Sequence, residues 1–184
     1  MKKIFPWIFG VIVTAFLMCG CATGQSLVNH SFEFDAVRES PDIEVLNYQY
    51  GNSKQPGARM PEWAIEQGRV WGGTGTYGQM PPGEFLYVKW RIKSTGEVVE
   101  DKVDLKSRFP ADINDQRVHF VIDGRQLYVL LISDKERVDG LCPKGIKPGE
   151  EHREFRRSLS PLERAKYKYC YLKIITLYPD QPKP

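Results

Sequence analysis

Four cysteines and three histidines are the side chains of this chain best suited to covalent, redox or acid–base chemistry, and their surroundings differ. Cys21 closes an apolar leader: Met1-Lys2-Lys3 is basic, Ile4 to Met18 is apolar apart from Pro6, Gly10 and Thr14, and Cys19-Gly20-Cys21-Ala22-Thr23 follows. A basic start, a short apolar run and small residues at the cut describe a secretory signal. At about 15 residues the run is shorter than the ~20 needed to span a bilayer as a helix. A cysteine just after a small residue predicts acylation of its thiol, with residues 1–20 removed before it. Gly20 precedes Cys21 whereas Met18 precedes Cys19, so Cys21 is the expected site. The alternative is an uncleaved N-terminal anchor; either way the remainder is expected to be exported. Ala22 rather than Asp after the cysteine directs the expectation to the outer membrane, facing the periplasm.

Cys142 and Cys170 are the pair left in the exported chain, 28 positions apart. An even pair in an oxidising compartment predicts a disulfide; two buried free thiols are the alternative. No histidine lies near them at a metal-site spacing, so no metal and no cofactor are expected. His30 falls in the expected tether, His119 on the strand face opposite the core residues, as a solvated residue, and His152 in the charged run Glu150 to Arg157. None accompanies a recognisable nucleophile motif, and paired acids such as Glu100–Asp101 do not alone argue for acid–base catalysis. Gly73-Thr74-Gly75-Thr76-Tyr77-Gly78 spells G-x-G-x-x-G, but Pro81-Pro82-Gly83 follows where the dinucleotide version opens a helix, so no nucleotide is expected. The expectation is a binding protein and not an enzyme.

The elements that must position these residues are mostly strands. Phe85 to Lys93 alternates, with Leu86, Val88, Trp90 and Ile92 on one face. Ser94-Thr95-Gly96 turns the chain, and Glu97 to Leu105 returns, giving a β-hairpin over 85–105. The returning strand carries Asp101 on the same face as Val99 and Val103, an inward charge of the kind that blunts a sheet edge. Phe32 and Phe34 share a face, as do Leu46, Tyr48 and Tyr50. Val118, Phe120 and Ile122 alternate before the turn signal Asp123-Gly124. Gln126 to Ser133 is an apolar run that fits a central strand covered on both faces, and Cys170 to Tyr178 is the last strand. Ser160-Pro161-Leu162-Glu163 is a capping box with proline at the first helical position, and predicts one short helix over about 161–168. The fold class is mainly β: an antiparallel β-sandwich or curved sheet with one short helix.

Two stretches, Gly51 to Gly83 and Asp134 to Tyr169, read as long irregular segments. Trp71, Tyr77 and Met80 stand among the glycines and prolines of the first, where they are candidate partner-binding anchors. Trp90, by its strand face, is expected in the core.

Removing the first 20 of 184 residues leaves 164, enough for one domain, divided here into residues 1–20 as signal, 21–30 as lipidated tether and 31–184 as a single β-rich domain. Lys2 and Lys3 leave with the signal, so 26 basic residues become 24 against 23 acidic ones. That balance gives no reason to expect a nucleic-acid partner; attachment to the membrane is through lipid.

The run Phe85-Leu86-Tyr87-Val88-Lys89-Trp90-Arg91-Ile92-Lys93-Ser94-Thr95-Gly96-Glu97 resembles a set of uncharacterised proteobacterial lipoproteins. So do Arg108-Phe109-Pro110-Ala111-Asp112-Ile113, Gln126-Leu127-Tyr128-Val129 and Ser40-Pro41-Asp42-Ile43-Glu44-Val45 with the later Tyr50-Gly51. The resemblance covers residues 30–133 and the final strand, and its motifs carry no chemistry. Such proteins are similar to periplasmic immunity proteins that accompany type VI secretion lipase effectors. The resemblance thus implies a lipid-anchored protein that neutralises a toxic effector by direct binding. A structural or assembly lipoprotein of the cell envelope is the second expectation.

Overall fold

The computed structural model describes residues 26–138, 142 and 153–180. The leader, the acylation expected at Cys21 and residues 139–141 and 143–152 of the charged stretch, His152 included, lie outside the described residues.

Among the described residues, eight strands form two sheets. The chain runs through β1 (Val28–Asp35), α1 (Ala36–Glu39), β2 (Ile43–Tyr50), α2 (Glu62–Glu66), β3 (Gly73–Met80), β4 (Phe85–Ile92) and β5 (Val98–Asp104). It continues through β6 (Gln116–Asp123), β7 (Gln126–Arg137), α3 (Arg153–Ser158), α4 (Pro161–Lys168) and β8 (Leu172–Tyr178). The larger sheet has the order β3-β1-β6-β7-β8 and the smaller β2-β4-β5. Every pairing is antiparallel except β1 with β6, which is parallel. The mainly β sandwich read from the sequence is present, with four short helical segments among the described residues where one was expected.

The two sheets bury one main core between them. Phe32 and Phe34 of β1, Val118, Phe120 and Ile122 of β6, and Leu127, Val129 and Leu131 of β7 meet Val45, Tyr48 and Tyr50 of β2 and Leu86, Val88 and Trp90 of β4. Phe32 stacks on Tyr50 with centroids 4.6 Å apart, and Phe34 on Phe120 at 4.4 Å, so aromatic pairs bridge the sheets and knit the larger one. Trp90 is fully buried and its indole N–H donates to the Gly124 carbonyl at 2.9 Å. Gly124, at φ 58°, supplies the left-handed backbone the β6–β7 turn needs.

Several local readings change. β2 carries a bulge between Val45 and Asn47, so Val45, not Leu46, faces inward with Tyr48 and Tyr50. β1 begins at Val28, so His30 belongs to a strand rather than the tether; its ring is buried, 3.0 Å from the Tyr50 hydroxyl. The stretch 51–83 is not irregular throughout: it contains α2 and the full strand β3. The glycine motif lies inside β3, paired over eight positions with β1. Asp101 does face inward on the edge strand β5, where it accepts from the Tyr178 hydroxyl.

β7 is covered on both faces. Its second face, with Val121 of β6, is closed by α4 and the residues after it, in a smaller core of Leu130, Ile132, Ala165 and Tyr169 with Leu162 packed alongside. α4 carries the expected capping box: the Ser160 side chain accepts from the Glu163 amide and the Glu163 carboxylate from the Ser160 amide.

Candidate functional site

The three expected anchors do not form one site. Met80 is only 1 % exposed; the alternation of β3 turns Thr74, Thr76 and Met80 inward, and Met80 joins the main core opposite Val28. It is a packing residue and not a partner-binding one. Trp71 is half-buried: it packs against the main core, its amide donates to the Val45 carbonyl at 2.9 Å, and its ring meets Trp63 edge-on at 6.3 Å. Tyr77 lies on the outer face of β3 and is 82 % exposed.

Around Trp71 the surface is apolar. Trp63 is 52 % exposed on α2, Val70 precedes Trp71, and Val37 of α1 is 69 % exposed with its amide donating to the Gly72 carbonyl. Sequence reading missed Trp63 and Val37 because each sits on a helical segment of only one turn, too short to show a period. Isolated exposed apolar residues are ordinary, whereas neighbouring ones mark a candidate contact surface.

The second constellation is polar and buried. His119 is not solvated: it is 0 % exposed, under α4. Its Nε2 donates to Glu39 at 2.7 Å and its Nδ1 lies 3.3 Å from Glu33. The Tyr169 hydroxyl donates to Glu33, and Arg117 donates to Glu33 at 3.4 Å, to the Tyr169 oxygen at 3.3 Å and to Asp134 at 3.2 Å. Lys168 stands 3.8 Å from Glu33 and 3.6 Å from Glu39. Thus β1, α1, β6, β7 and the end of α4 each contribute a charge or a hydroxyl to one cluster.

Burial pushes the Glu33 carboxyl up, but the hydrogen bonds from His119 and Tyr169 and the positive charges of His119 and Arg117 outweigh it and hold it at about 2. Burial pushes His119 down, but the two carboxylates outweigh it and raise the imidazole above its ordinary value. Burial and the adjacent Glu33 raise Tyr169. The cluster holds the imidazole between two acidic side chains, an arrangement that favours its charged form. His119 has no exposed surface, and between Glu39, Glu33 and the Tyr169 ring it links α1 and the end of α4 to the sheet. The sequence carried one usable signal for its burial. If β7 is covered on both faces, its neighbour β6 is covered there too, and His119 shares that face with Val121.

Beside the cluster a cavity of about 550 Å³ opens over the outer face of β1 and β3. Ser31, Glu33 and Arg117 line it together with Tyr77, Asp134 and Lys135. Its charges are mutually paired, Arg117 with Glu33 and Asp134, and Lys135 with Asp115. Among the described residues, no group of three or more His, Cys, Asp or Glu side chains is arranged to hold a metal ion.

Cys142 and Cys170 are bonded, with Cα atoms 5.0 Å apart. Cys170 directly follows Tyr169, so the bridge ties the stretch after β7 to the residue that anchors α4 on Glu33.

No family model, no curated protein and no solved structure matches the chain.

Proposed function

We propose that this chain is a lipid-anchored binding protein of the cell envelope, facing the periplasm from the outer membrane, that acts by covering a protein partner. The resemblance noted in its sequence makes a type VI lipase-type effector the specific partner of this reading, and neutralisation by direct binding its consequence. The observation that carries the proposal is the apolar surface of Val37, Trp63 and Val70 around Trp71 on one side of a rigid sandwich. A tryptophan that is half exposed in the free protein, backed by a second tryptophan fixed in the fold, has the composition of an interface anchor. The sandwich supplies preorganisation, so little ordering opposes binding.

The experiment is affinity capture from detergent-solubilised membranes using the natively acylated full chain, beside the same chain carrying Trp63→Ala. One effector captured by the unsubstituted chain, and lost with Trp63→Ala, supports the reading. Equal capture by both, or capture of envelope assembly components alone, rejects it.

A further inference from the structure

We infer that β3 is a self-pairing edge through which two copies of this chain join their larger sheets into one continuous sheet. Among the described residues the sandwich has four edge strands, and three are protected. β5 carries Glu100, Asp101 and Lys102. β2 is bridged on its free side to Arg59 and Trp71. β8 carries Lys173 and runs into Pro179. Charges, prolines and covering segments are the devices that stop edges from pairing.

β3 carries no charge and no proline within its length, although Pro81 and Pro82 follow it and the loop at Gly57 comes close to its Gly75 carbonyl. Its eight residues, Gly-Thr-Gly-Thr-Tyr-Gly-Gln-Met, are paired on one side with β1. The loop at Gly57 lies against Thr74 and Thr76 and accepts from the Thr74 hydroxyl. No backbone hydrogen bond from any other described residue reaches residues 74–79. Among the described residues the outward row of amides and carbonyls is therefore an unfilled ladder, which a second strand completes.

The side chains select a second copy as that strand. In an antiparallel pair with its two-fold axis at Thr76, Thr76 meets Thr76, Gly75 meets Tyr77, Thr74 meets Gly78 and Gly73 meets Gln79. Each glycine then faces a side chain. Tyr77 is 82 % exposed, and a Cβ added at Gly75 meets nothing within 4 Å. The Tyr77 ring of one copy fills the open space over Gly75 of the other, twice per dimer, as aromatic residues do opposite strand glycines. A contact repeated by a two-fold axis is the isologous interface most dimers use, and an uncharged strand escapes the repulsion that like charges meet when opposed to themselves.

The test is disulfide trapping of the full-length acylated chain in its native membrane. Thr76→Cys puts cysteines directly opposite one another, whereas Gln79→Cys puts them roughly 20 Å apart. Mild oxidation should give Thr76→Cys a species of doubled mass at least about tenfold faster than Gln79→Cys. Tyr77→Asp added to Thr76→Cys should slow the trapping by a similar factor while leaving the melting temperature unchanged. Sedimentation of the unsubstituted chain in detergent should give the mass of a dimer, which keeps the question open to measurement if Thr76→Cys folds poorly. A monomer in sedimentation with no trapping, equal trapping at residues 76 and 79, or trapping of a different protein at residue 76 would each overturn the inference. The last of these would assign the edge to a foreign strand.

Discussion

The Tyr169 hydroxyl, at the end of the last helix, donates to the Glu33 carboxylate of the first strand, 136 positions away. The contact closes a cluster that also holds His119, Arg117 and Lys168. Tyr169→Phe removes one donor from a carboxylate that is largely buried. The expected loss is about 1–3 kcal/mol of stability, the cost of leaving a buried acceptor short of a partner. Chemical denaturation of the two proteins side by side measures it; a difference within error would mean that water replaces the hydroxyl.

The cluster predicts a pH profile with two limbs. Glu33 is held at about 2 against an ordinary 4.5, so its contribution is present above pH 4.5 and is lost as pH falls from there toward 2. His119 is raised above 6.5, so its contribution is present below pH 6.5 and is lost as pH rises through its higher folded value. His30 acts in the opposite sense: burial lowers it, so it weakens the folded state as pH falls through 6.5. The difference between the unsubstituted chain and His119→Gln isolates the His119 limb. Melting temperatures should converge as pH rises above 6.5 and separate below it; a constant gap across that range would show that His119 is buried neutral.

Trp90, Trp71 and Trp63 should rank by burial. Trp90→Ala opens a cavity between the sheets and strands the Gly124 carbonyl, at a cost of ~3–5 kcal/mol. Trp71→Ala should cost less, about 1–2 kcal/mol, because the side chain is only half-buried and its backbone bridge to Val45 remains. Trp63→Ala, at a surface position, should fall within about 0.5 kcal/mol. Thermal unfolding of the three variants gives the order, and Trp63 above Trp71 would reverse the assignment of anchor and support.

Reducing the Cys142–Cys170 bridge frees a loop of 28 positions, worth about 3–4 kcal/mol in the chain-entropy account. Cys142→Ser/Cys170→Ser should melt at a lower temperature than the oxidised protein and no longer respond to reductant. Hydrogen exchange should quicken first in α4, which the bridge and Tyr169 hold down together. Unchanged protection in α4 would place the bridge's effect elsewhere.

Intact-mass measurement of membrane-extracted protein should show a chain beginning at Cys21 and carrying lipid. A chain still bearing residues 1–20, or one free of lipid, would reject acylation at that residue.

What the sequence made legible is what neighbouring residues decide. Phe85 to Leu105 alternates cleanly, turns at a glycine and is a hairpin; Ser160, Pro161 and Glu163 lie within one turn of each other and start a helix. β3 was hidden because its three glycines have little strand preference and mask the threonines and tyrosine between them, which do favour strands. Its conformation comes from eight pairings with β1, 38 to 52 positions earlier in the chain. His119 was misplaced for a related reason. Alternation shows which residues share a face, but not what covers that face, and the cover arrives with Ala165 and Tyr169 late in the chain. Met80 looked like a loop residue only while β3 was unseen; once the strand is drawn, its inward face follows from Thr74 and Thr76.

The position of β1 in the sheet has a mechanical consequence. It is the first strand of the chain, yet it lies between β3 and β6, with eight pairs on one side and three on the other. A pull delivered through the residues before Val28 runs along the strand axis. It loads both ladders in shear, all their hydrogen bonds at once, instead of peeling them one after another. The three-pair seam with β6 is the shorter of the two, and it is the one spanned by Glu33, His119 and Arg117. Under tension the charged cluster works as a rivet, holding the half of the molecule that bears the load to the half that does not.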